Sequence, residues 1–489
     1  MKKKPTADIE ALAREKLGFP SLRGGQHEAI EALQQGRDTL VVQPTGSGKS
    51  AIYQIAGLIT EGTTIVVSPL IALQKDQIDG IQAADVAPAA VVNSHQKASE
   101  VKDAFARLAD GTLEYLFLSP EQLAKPATLE KLQAHPPSLF VVDEAHCISE
   151  WGHDFRPDYL RLGGVIKMFG HPITLALTAT ASELVQQEIV TRLQMREPKV
   201  IVKGFDRPNL HLRVDHFAAE DDKREELLKR VDWADKPGIV YVGTRKHAED
   251  LAAALAEKNI TTAFYHAGMA PKDRVRIHEE FMAGNTDVII ATNAFGMGVD
   301  KADVRFVYHY DISDSIDSYY QEIGRAGRDG EPAEAILFYR SEDMHLPKFL
   351  KGGGKVLEAE IDKIQTVLQQ ADQPLTPPDL HDQTGLTKHK VEKVLNRLEE
   401  AGAVERLPDG TVLSVQDADR AQAATQAVEH EAEHREYERK RLEQMQAYAE
   451  LRTCRRAYIL RYFGEANVPD NCGNCDICGT QAQRAQPAA

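Results

Sequence analysis

The sequence predicts an α/β protein of two parallel-sheet lobes, followed by a mostly helical winged-helix-like segment and a zinc-binding element. Three observations carry that prediction. Short apolar runs rich in Val and Ile recur through residues 1–345 with helical patterns between them; such alternation builds a parallel sheet with helices on both faces. A glycine-rich loop joins the first such run to the helix pattern that follows it. A Cys-x2-Cys-x2-Cys triplet stands near the C-terminus, beyond a charged helical stretch.

The first lobe, residues 1–207, has strand candidates at Thr39–Gln43, Thr63–Ser68, Ala89–Val92, Tyr115–Ser119, Leu139–Asp143 and Thr174–Thr178. Periodicity breaks around Gly204-Phe205-Asp206-Arg207-Pro208-Asn209, which predicts a hinge. The second lobe, residues 208–345, repeats the alternation near His211–Val214, Gly238–Val242, Thr262–Tyr265, Asp287–Thr292, Arg305–His309 and Ala335–Tyr339. It has no glycine-rich phosphate loop and reads as a nucleotide-free partner of the first.

Residues 346–420 open on a flexible joint, Lys351-Gly352-Gly353-Gly354-Lys355. A short helix starts at Pro374–Leu380, and Thr387–Leu398 has amphipathic spacing. Ala403–Leu407 and Thr411–Val415 flank Pro408-Asp409-Gly410, a hairpin signal. Two readings fit. One is a small winged helix whose Lys388, His389, Lys390, Lys393 and Arg397 meet DNA phosphates. The other is a helical spacer with a β-turn. Residues 421–479 follow as the zinc element, led by a charged helix from His430 to Arg456, and the Gln/Ala-rich tail, 480–489, reads as disordered.

The chemistry starts at Pro44-Thr45-Gly46-Ser47-Gly48-Lys49-Ser50, a P-loop in strand–loop–helix context. Thr45, Gly46, Ser47 and Gly48 turn backbone N–H groups toward phosphate. Lys49 reaches the β/γ-phosphates and the Ser50 hydroxyl ligates Mg²⁺. Gln43 stands where the general pattern has its first glycine, so the loop is a variant. Downstream, Val141-Val142 leads into Asp143-Glu144-Ala145-His146. A strand of that kind delivers carboxylates to the nucleotide-binding edge of a parallel sheet. Asp143 holds Mg²⁺ through water, and Glu144 orients and deprotonates the attacking water. Trp151, His153, Phe155 and Arg156 then place aromatics beside a cation, the chemistry of a platform for unpaired bases. The bland alternative is a capped turn with core aromatics.

Of five cysteines, Cys147 stands alone and reads as a small buried hydrophobe. Cys454, Cys472, Cys475 and Cys478 suit a tetrahedral Zn²⁺. A disulfide framework and an iron–sulfur cluster are the alternatives. No apolar run approaches the length of a membrane span, and the start, Met1-Lys2-Lys3-Lys4-Pro5, lacks the apolar core of a signal peptide. The predicted location is therefore cytoplasmic, or nucleoid-associated in a bacterium. Length, 489 residues with 42% hydrophobic, is ample for three or more domains. The formal net charge of -16 argues against nucleic acid taken alone, but a narrow basic track can still bind it, with strong salt dependence.

These motifs together resemble the RecQ family of superfamily 2 DNA helicases. The resemblance covers most of residues 10–345 and, after a gap, 437–479. It rests on Gly18-Phe19-Pro20-Ser21-Leu22-Arg23-Gly24-Gly25-Gln26, the P-loop, Ser68-Pro69-Leu70-Ile71-Ala72-Leu73-Gln74-Lys75-Asp76-Gln77, and Asp143-Glu144-Ala145-His146 with its aromatic-rich loop. Thr178-Ala179-Thr180-Ala181, Ala294-Phe295-Gly296-Met297-Gly298-Val299-Asp300 and Gln321-Glu322-Ile323-Gly324-Arg325-Ala326-Gly327-Arg328-Asp329-Gly330 follow, then Cys454-Arg455-Arg456 through Glu465 to the cysteine triplet.

The resemblance implies two RecA-like lobes with ATP, Mg²⁺ and Zn²⁺ as cofactors, single-stranded and duplex DNA as partners, and a monomer that moves 3′→5′ in recombination and repair. It implies that Arg23 and Gln26 read adenine with Phe19 against the base. Arg328 then reaches the γ-phosphate, supported by Gln321 and Arg325, and His146 and Thr180 couple nucleotide to DNA. One departure stands out. In larger RecQ helicases the zinc element directly follows the second lobe and precedes a winged helix; here the stretch from Ser341 to Tyr437 intervenes, and the winged-helix-like segment comes first. Two other functions compete: an RNA-dependent ATPase, which the Asp-Glu-Ala-His tetrad alone permits, and a non-catalytic module, which intact Lys49, Glu144 and Arg328 oppose.

Overall fold

A computed structural model describes residues 9–69, 71–83, 86–152, 154–296, 298–345, 355–415, 418–465 and 468–479. His153, Met297, residues 346–354 with most of the predicted joint, and the tail from 480 lie outside the described residues.

The first lobe runs α1 (Ile9–Leu17), α2 (Gln26–Gln34), β1 (Thr39–Val42), α3 (Lys49–Ile59), β2 (Thr64–Val67), α4 (Ile71–Ala83), β3 (Ala89–Val92), α5 (Ala98–Ala109), β4 (Tyr115–Leu118), α6 (Pro126–Ala134), β5 (Leu139–Val142), α7 (Leu162–Met168), β6 (Ile173–Thr178), α8 (Glu183–Arg192) and β7 (Lys199–Val202). Its seven-stranded sheet has the order β3-β4-β2-β5-β6-β1-β7. β1, β2, β4 and β5 are buried along their whole length, as strands covered on both faces must be, which is why they read as continuous apolar runs. Val41, Val66, Val141 and Leu177 share one core with Ile52 and Ile55 of α3. β6 lies between β1 and β5, so the strand ends that carry the P-loop, Thr178 and Asp143 are neighbours at one sheet edge.

The second lobe runs β8 (Leu210–His216), α9 (Glu220–Trp233), β9 (Gly238–Tyr241), α10 (Arg245–Ala256), β10 (Thr262–Tyr265), α11 (Pro271–Met282), β11 (Val288–Ala291), β12 (Phe306–His309), α12 (Ile316–Ile323) and β13 (Ala333–Tyr339). Its sheet order is β10-β11-β9-β12-β13-β8, every pair parallel. Each predicted strand of both lobes is present, with ends that move by two residues at most. β7 was not predicted; it is a half-exposed edge strand, so it lacks the apolar run that marks the others.

The segment after the second lobe forms α13 (Glu358–Gln370), α14 (Pro377–Thr384), α15 (Lys388–Glu400) and a hairpin of β14 (Val404–Arg406) with β15 (Val412–Ser414). Gly410 turns the hairpin at φ 84°. Ile361, Leu380, Val391, Leu395, Val404 and Val412 bury into a core of their own. The charged helix is longer than predicted at its start: α16 spans Arg420–Ala449, because its first ten residues are rich in alanine, the strongest helix former. It stops before Cys454, and α17 (Arg455–Tyr462) begins a separate helix.

The chain divides into two compact units that do not follow the predicted segments. The first holds residues up to Val42, Gly48–Ile201 and the described residues through Arg439. The second holds Gln43–Ser47, the lobe from Val202, and Lys440 onward. The inserted helices and hairpin therefore group with the first lobe, and the cysteine element with the second.

Candidate functional site

Gly48, at φ 82°, is the N-cap of α3, and Lys49 is the first helical residue. A helix N-terminus reached through glycines is an anion site by its unpaired N–H groups. Gln26, nearly buried, donates from Nε2 to the Gly48 carbonyl at 2.8 Å and accepts from the Arg23 N–H at 2.8 Å through Oε1. That hook ties the segment before α2 to the loop. The positive φ of Gly48 strains any residue with a Cβ, and that Cβ would stand 2.7 Å from Gln26 Nε2 and push the hook aside. Phe19 is exposed on the same segment.

At the end of β5, the Asp143 N–H continues the ladder to the Val67 carbonyl. Glu144 takes a left-handed backbone, φ 48°, and donates its N–H to Asp143 Oδ1 at 3.0 Å. The Tyr159 hydroxyl, fully buried, donates to the Asp143 carbonyl at 2.9 Å. Burial, with the Glu144 charge second, pushes the Asp143 carboxyl up to about 7, while Lys49 and Ser68 pull it back. A carboxylate in that position calls for a cation, so Asp143 fits Mg²⁺, and Ser50 stands in the first turn of α3 after Lys49.

His146 is fully buried, with Nδ1 2.9 Å from Thr178 Oγ1 and 3.4 Å from Glu144 Oε2. Thr178 in turn donates to the Thr180 carbonyl at 3.0 Å. The side chain that meets His146 is thus Thr178; Thr180, expected to couple nucleotide to DNA with His146, meets this set through its carbonyl, and its buried Oγ1 has no hydrogen-bond partner among the described residues. The cause is strand register: Thr178 ends β6 beside β5, while Thr180 lies beyond it. Neither Thr178 nor Tyr159 carried a signal in sequence beyond membership of the quoted motifs.

The aromatic-rich loop is half-buried at Trp151, Phe155 and Arg156. Arg156 donates to the Pro69 carbonyl at 3.2 Å. The Trp151 ring packs edge-on to Tyr437 at 5.0 Å and tilted to His434 at 5.2 Å, both from α16. The predicted phosphate contacts of α15 fare differently. Lys390 pairs with Glu360, Lys393 with Glu431, and Arg397 is fully buried against Glu150, Glu400 and Glu431. These three cations face protein carboxylates because α15 packs its basic side inward; Lys388 and His389 stay exposed.

In the second unit, Gln321 lies on α12, and Arg325 and Arg328 follow it. Arg328 pairs with the exposed Asp300 at 2.5 Å, yet burial, and Arg325 after it, lower its pKa to about 10. The Nε atoms of both arginines are buried without a hydrogen-bond partner among the described residues. Two buried guanidinium groups side by side favour an anion as neighbour. Gly46, which groups with this unit, has its Cβ position 3.4 Å from Arg328 Cγ.

The sulfurs of Cys454, Cys472, Cys475 and Cys478 all lie within 4.8 Å of one another. That spacing admits one tetrahedral Zn²⁺ at about 2.3 Å from each. Burial first, and the neighbouring cysteines next, hold the Cys472 and Cys478 thiols up, an ionisation cost that a bound cation removes. Asp476, between the ligands, pairs with Arg455 at 2.7 Å and accepts from the β8 N–H of Val214 at 3.1 Å. Cys147 is buried, as expected of a small hydrophobe.

Three family models match successive parts of the chain. The DEAD/DEAH box helicase family matches residues 23–188, the helicase conserved C-terminal domain 222–330, and the RecQ zinc-binding family 415–479. A probable ATP-dependent DNA helicase RecS of Bacillus subtilis (strain 168) is 42% identical over 73% of this chain and 72% of its own length. The chain belongs to the RecQ family. It carries the ATP-hydrolysing helicase domains of that family, with ATP, Mg²⁺ and Zn²⁺ as cofactors and nucleic acid as partner. An ATP-dependent DNA helicase RecQ of Pasteurella multocida (strain Pm70) is 36% identical over 94% of this chain; the chain spans 60% of that relative. The Mycobacterium smegmatis helicase Lhr, bound to ssDNA and AMP-PNP, superposes with TM-score 0.56 at 20% identity over 86% of this chain and 63% of its own, which shows the fold alone. Among the described residues, no helix is long and apolar enough to cross a membrane.

Proposed function

We propose that this RecQ-family chain is an ATP-dependent DNA helicase that moves 3′→5′ on single-stranded DNA and unwinds duplex DNA, as a monomer, in recombination and repair. The observation that carries the reading is the contact series from Asp143 and Glu144 to the buried His146 and Thr178, set immediately before the aromatic-rich loop. In this reading hydrolysis and strand sensing are served by neighbouring segments, the loop following the acid pair directly in the chain.

In this reading Lys49 and the amides of Thr45, Gly46, Ser47 and Gly48 hold the ATP phosphates. Gln26 and Arg23 read adenine against Phe19, the Gln26 amide choosing between donor and acceptor edges. Ser50 and Asp143 hold Mg²⁺, which supplies charge neutralisation on the phosphates. Glu144 takes the proton of the attacking water. Arg328 acts on the γ-phosphate, with Arg325 and Gln321 in support. Trp151, Phe155, Arg156 and His153 meet unpaired bases and backbone. Cytoplasmic or nucleoid location goes with that role.

ATP hydrolysis measured against single-stranded DNA and RNA tests the choice of nucleic acid. DNA is expected to stimulate well above RNA, and Trp151→Ala or Phe155→Ala to weaken that stimulation by the loss of a stacking contact of about 1–3 kcal/mol per base. Equal stimulation by RNA, untouched by either substitution, would favour an RNA-dependent ATPase.

A further inference from the structure

The aromatic-rich loop is bolted at its start. Glu150 is almost fully buried, and its carboxylate meets Arg397 Nη1 at 2.7 Å and the Asn396 side-chain amide. The Glu150 carbonyl lies 3.0 Å from His434 Nε2; a carbonyl only accepts, so His434 donates. Ser149 bonds Glu188, and Trp151 N–H donates to Ser149 Oγ at 3.1 Å. Arg397 is held in turn by Glu400 and Glu431, and Glu431 by Lys393. Arg192 of α8 joins Glu188, Glu399 and Glu400 to the same cluster.

The hairpin tip is docked as well. Pro408 Cγ lies 3.4 Å from the Cβ position of Gly164, and the Gly410 Cβ position is 3.3 Å from the Arg161 guanidinium. The C-terminal half of the third helix and the wing, two surfaces by which a winged helix would grip DNA, are therefore turned onto the first lobe. Removing one partner of a buried ion pair is strongly destabilising, so this attachment is built to persist rather than to open at each cycle.

We propose that the inserted segment, residues 357–415 with the first half of α16, is a brace for the aromatic-rich loop, and that Arg397 is a positioning residue that sets Trp151 for single-stranded DNA through Glu150. The brace replaces direct DNA contact by α15. Glu150 is adjacent to Trp151, so its place fixes the direction in which that ring leaves the backbone. His434 and Tyr437 then hold the ring from one side, with the Tyr437 hydroxyl 3.0 Å from that of Ser182.

The proposal rests on Trp151 sensing DNA, and the test separates the two. In the full-length chain, Arg397→Met removes the charge and keeps the length of the side chain. It is expected to leave DNA-free ATP hydrolysis and zinc content unchanged, and to raise the single-stranded DNA concentration for half-maximal stimulation by about two- to thirtyfold, the range for residues that act through a network. His434→Ala, at a half-buried position, is expected to shift it in the same direction and serves if Arg397→Met does not fold. The chain has 2 Trp, and Trp233 is highly exposed. In a Trp233→Phe background, Trp151 emission should shift to the red in both variants, which a spacer would not produce. Unchanged half-saturation and emission in both variants, with Trp151→Ala still defective in stimulation, overturns the brace alone. Reduced duplex affinity with unmoved Trp151 emission overturns it in favour of direct DNA contact. Normal stimulation in Trp151→Ala overturns the reading of the loop and the brace with it.

Discussion

Glu144 sits in the left-handed region at φ 48°, a backbone that costs a non-glycine residue about 1–3 kcal/mol and persists where the surrounding structure over-determines it. The turn carries Glu144 off the sheet edge and toward His146. Glu144→Gln is therefore expected to retain ATP binding while turnover falls by about 10²-fold or more. Lys49→Ala should nearly abolish hydrolysis, because the phosphates lose their main counter-charge. Steady-state hydrolysis beside nucleotide-binding titration checks both; near-wild-type turnover in Glu144→Gln would remove its assignment as base. Thr178→Val, which deletes the hydroxyl facing His146, should reduce the stimulation of hydrolysis by DNA more than Thr180→Val does. The reverse order would make Thr180 the coupling side chain. The P-loop, the acid pair and the cysteines were legible because each is a local pattern. The Thr178 contact was not, since it depends on which strands are neighbours.

At the scale of elements, strands with both faces covered declared themselves through unbroken apolar runs, whereas edge strand β7 did not. The hairpin was legible from Pro408-Asp409-Gly410, and the amphipathic α15 from its spacing, but amphipathicity does not say which polar face meets a partner. Its cations turn inward to Glu150, Glu360 and Glu431. The cysteine element illustrates another link invisible in sequence. Asp476 bonds Val214 of β8, and Cys475 pairs with Leu212 as a β-bridge. Zinc loss should thus be felt in the second lobe's edge strand. Cys475→Ser is expected to lower zinc below one per chain, to speed hydrogen exchange at Val214, and to weaken DNA binding, while both lobes stay folded. Iron in place of zinc, or full metal content in the variant, would contradict the four-cysteine site.

At the scale of the molecule, chain order and compact order differ. The inserted helices return to the first lobe and the cysteines belong with the second, a tertiary result that no local pattern encodes. A formal charge of -16 means that DNA must be held by local cations and stacking rather than by the overall field. Affinity should fall with salt by about 0.7 log units per log unit of salt for each phosphate engaged on a single strand. The central claim is that hydrolysis in the first lobe drives directed movement along one DNA strand. The most direct measurement is ATP-dependent unwinding of forked, 3′-tailed and 5′-tailed duplexes of equal length, with Glu144→Gln as control. The expected result is unwinding of the forked and 3′-tailed substrates, little on the 5′-tailed one, and none in the variant. Unwinding that needs no ATP, or that favours the 5′ tail, would contradict it.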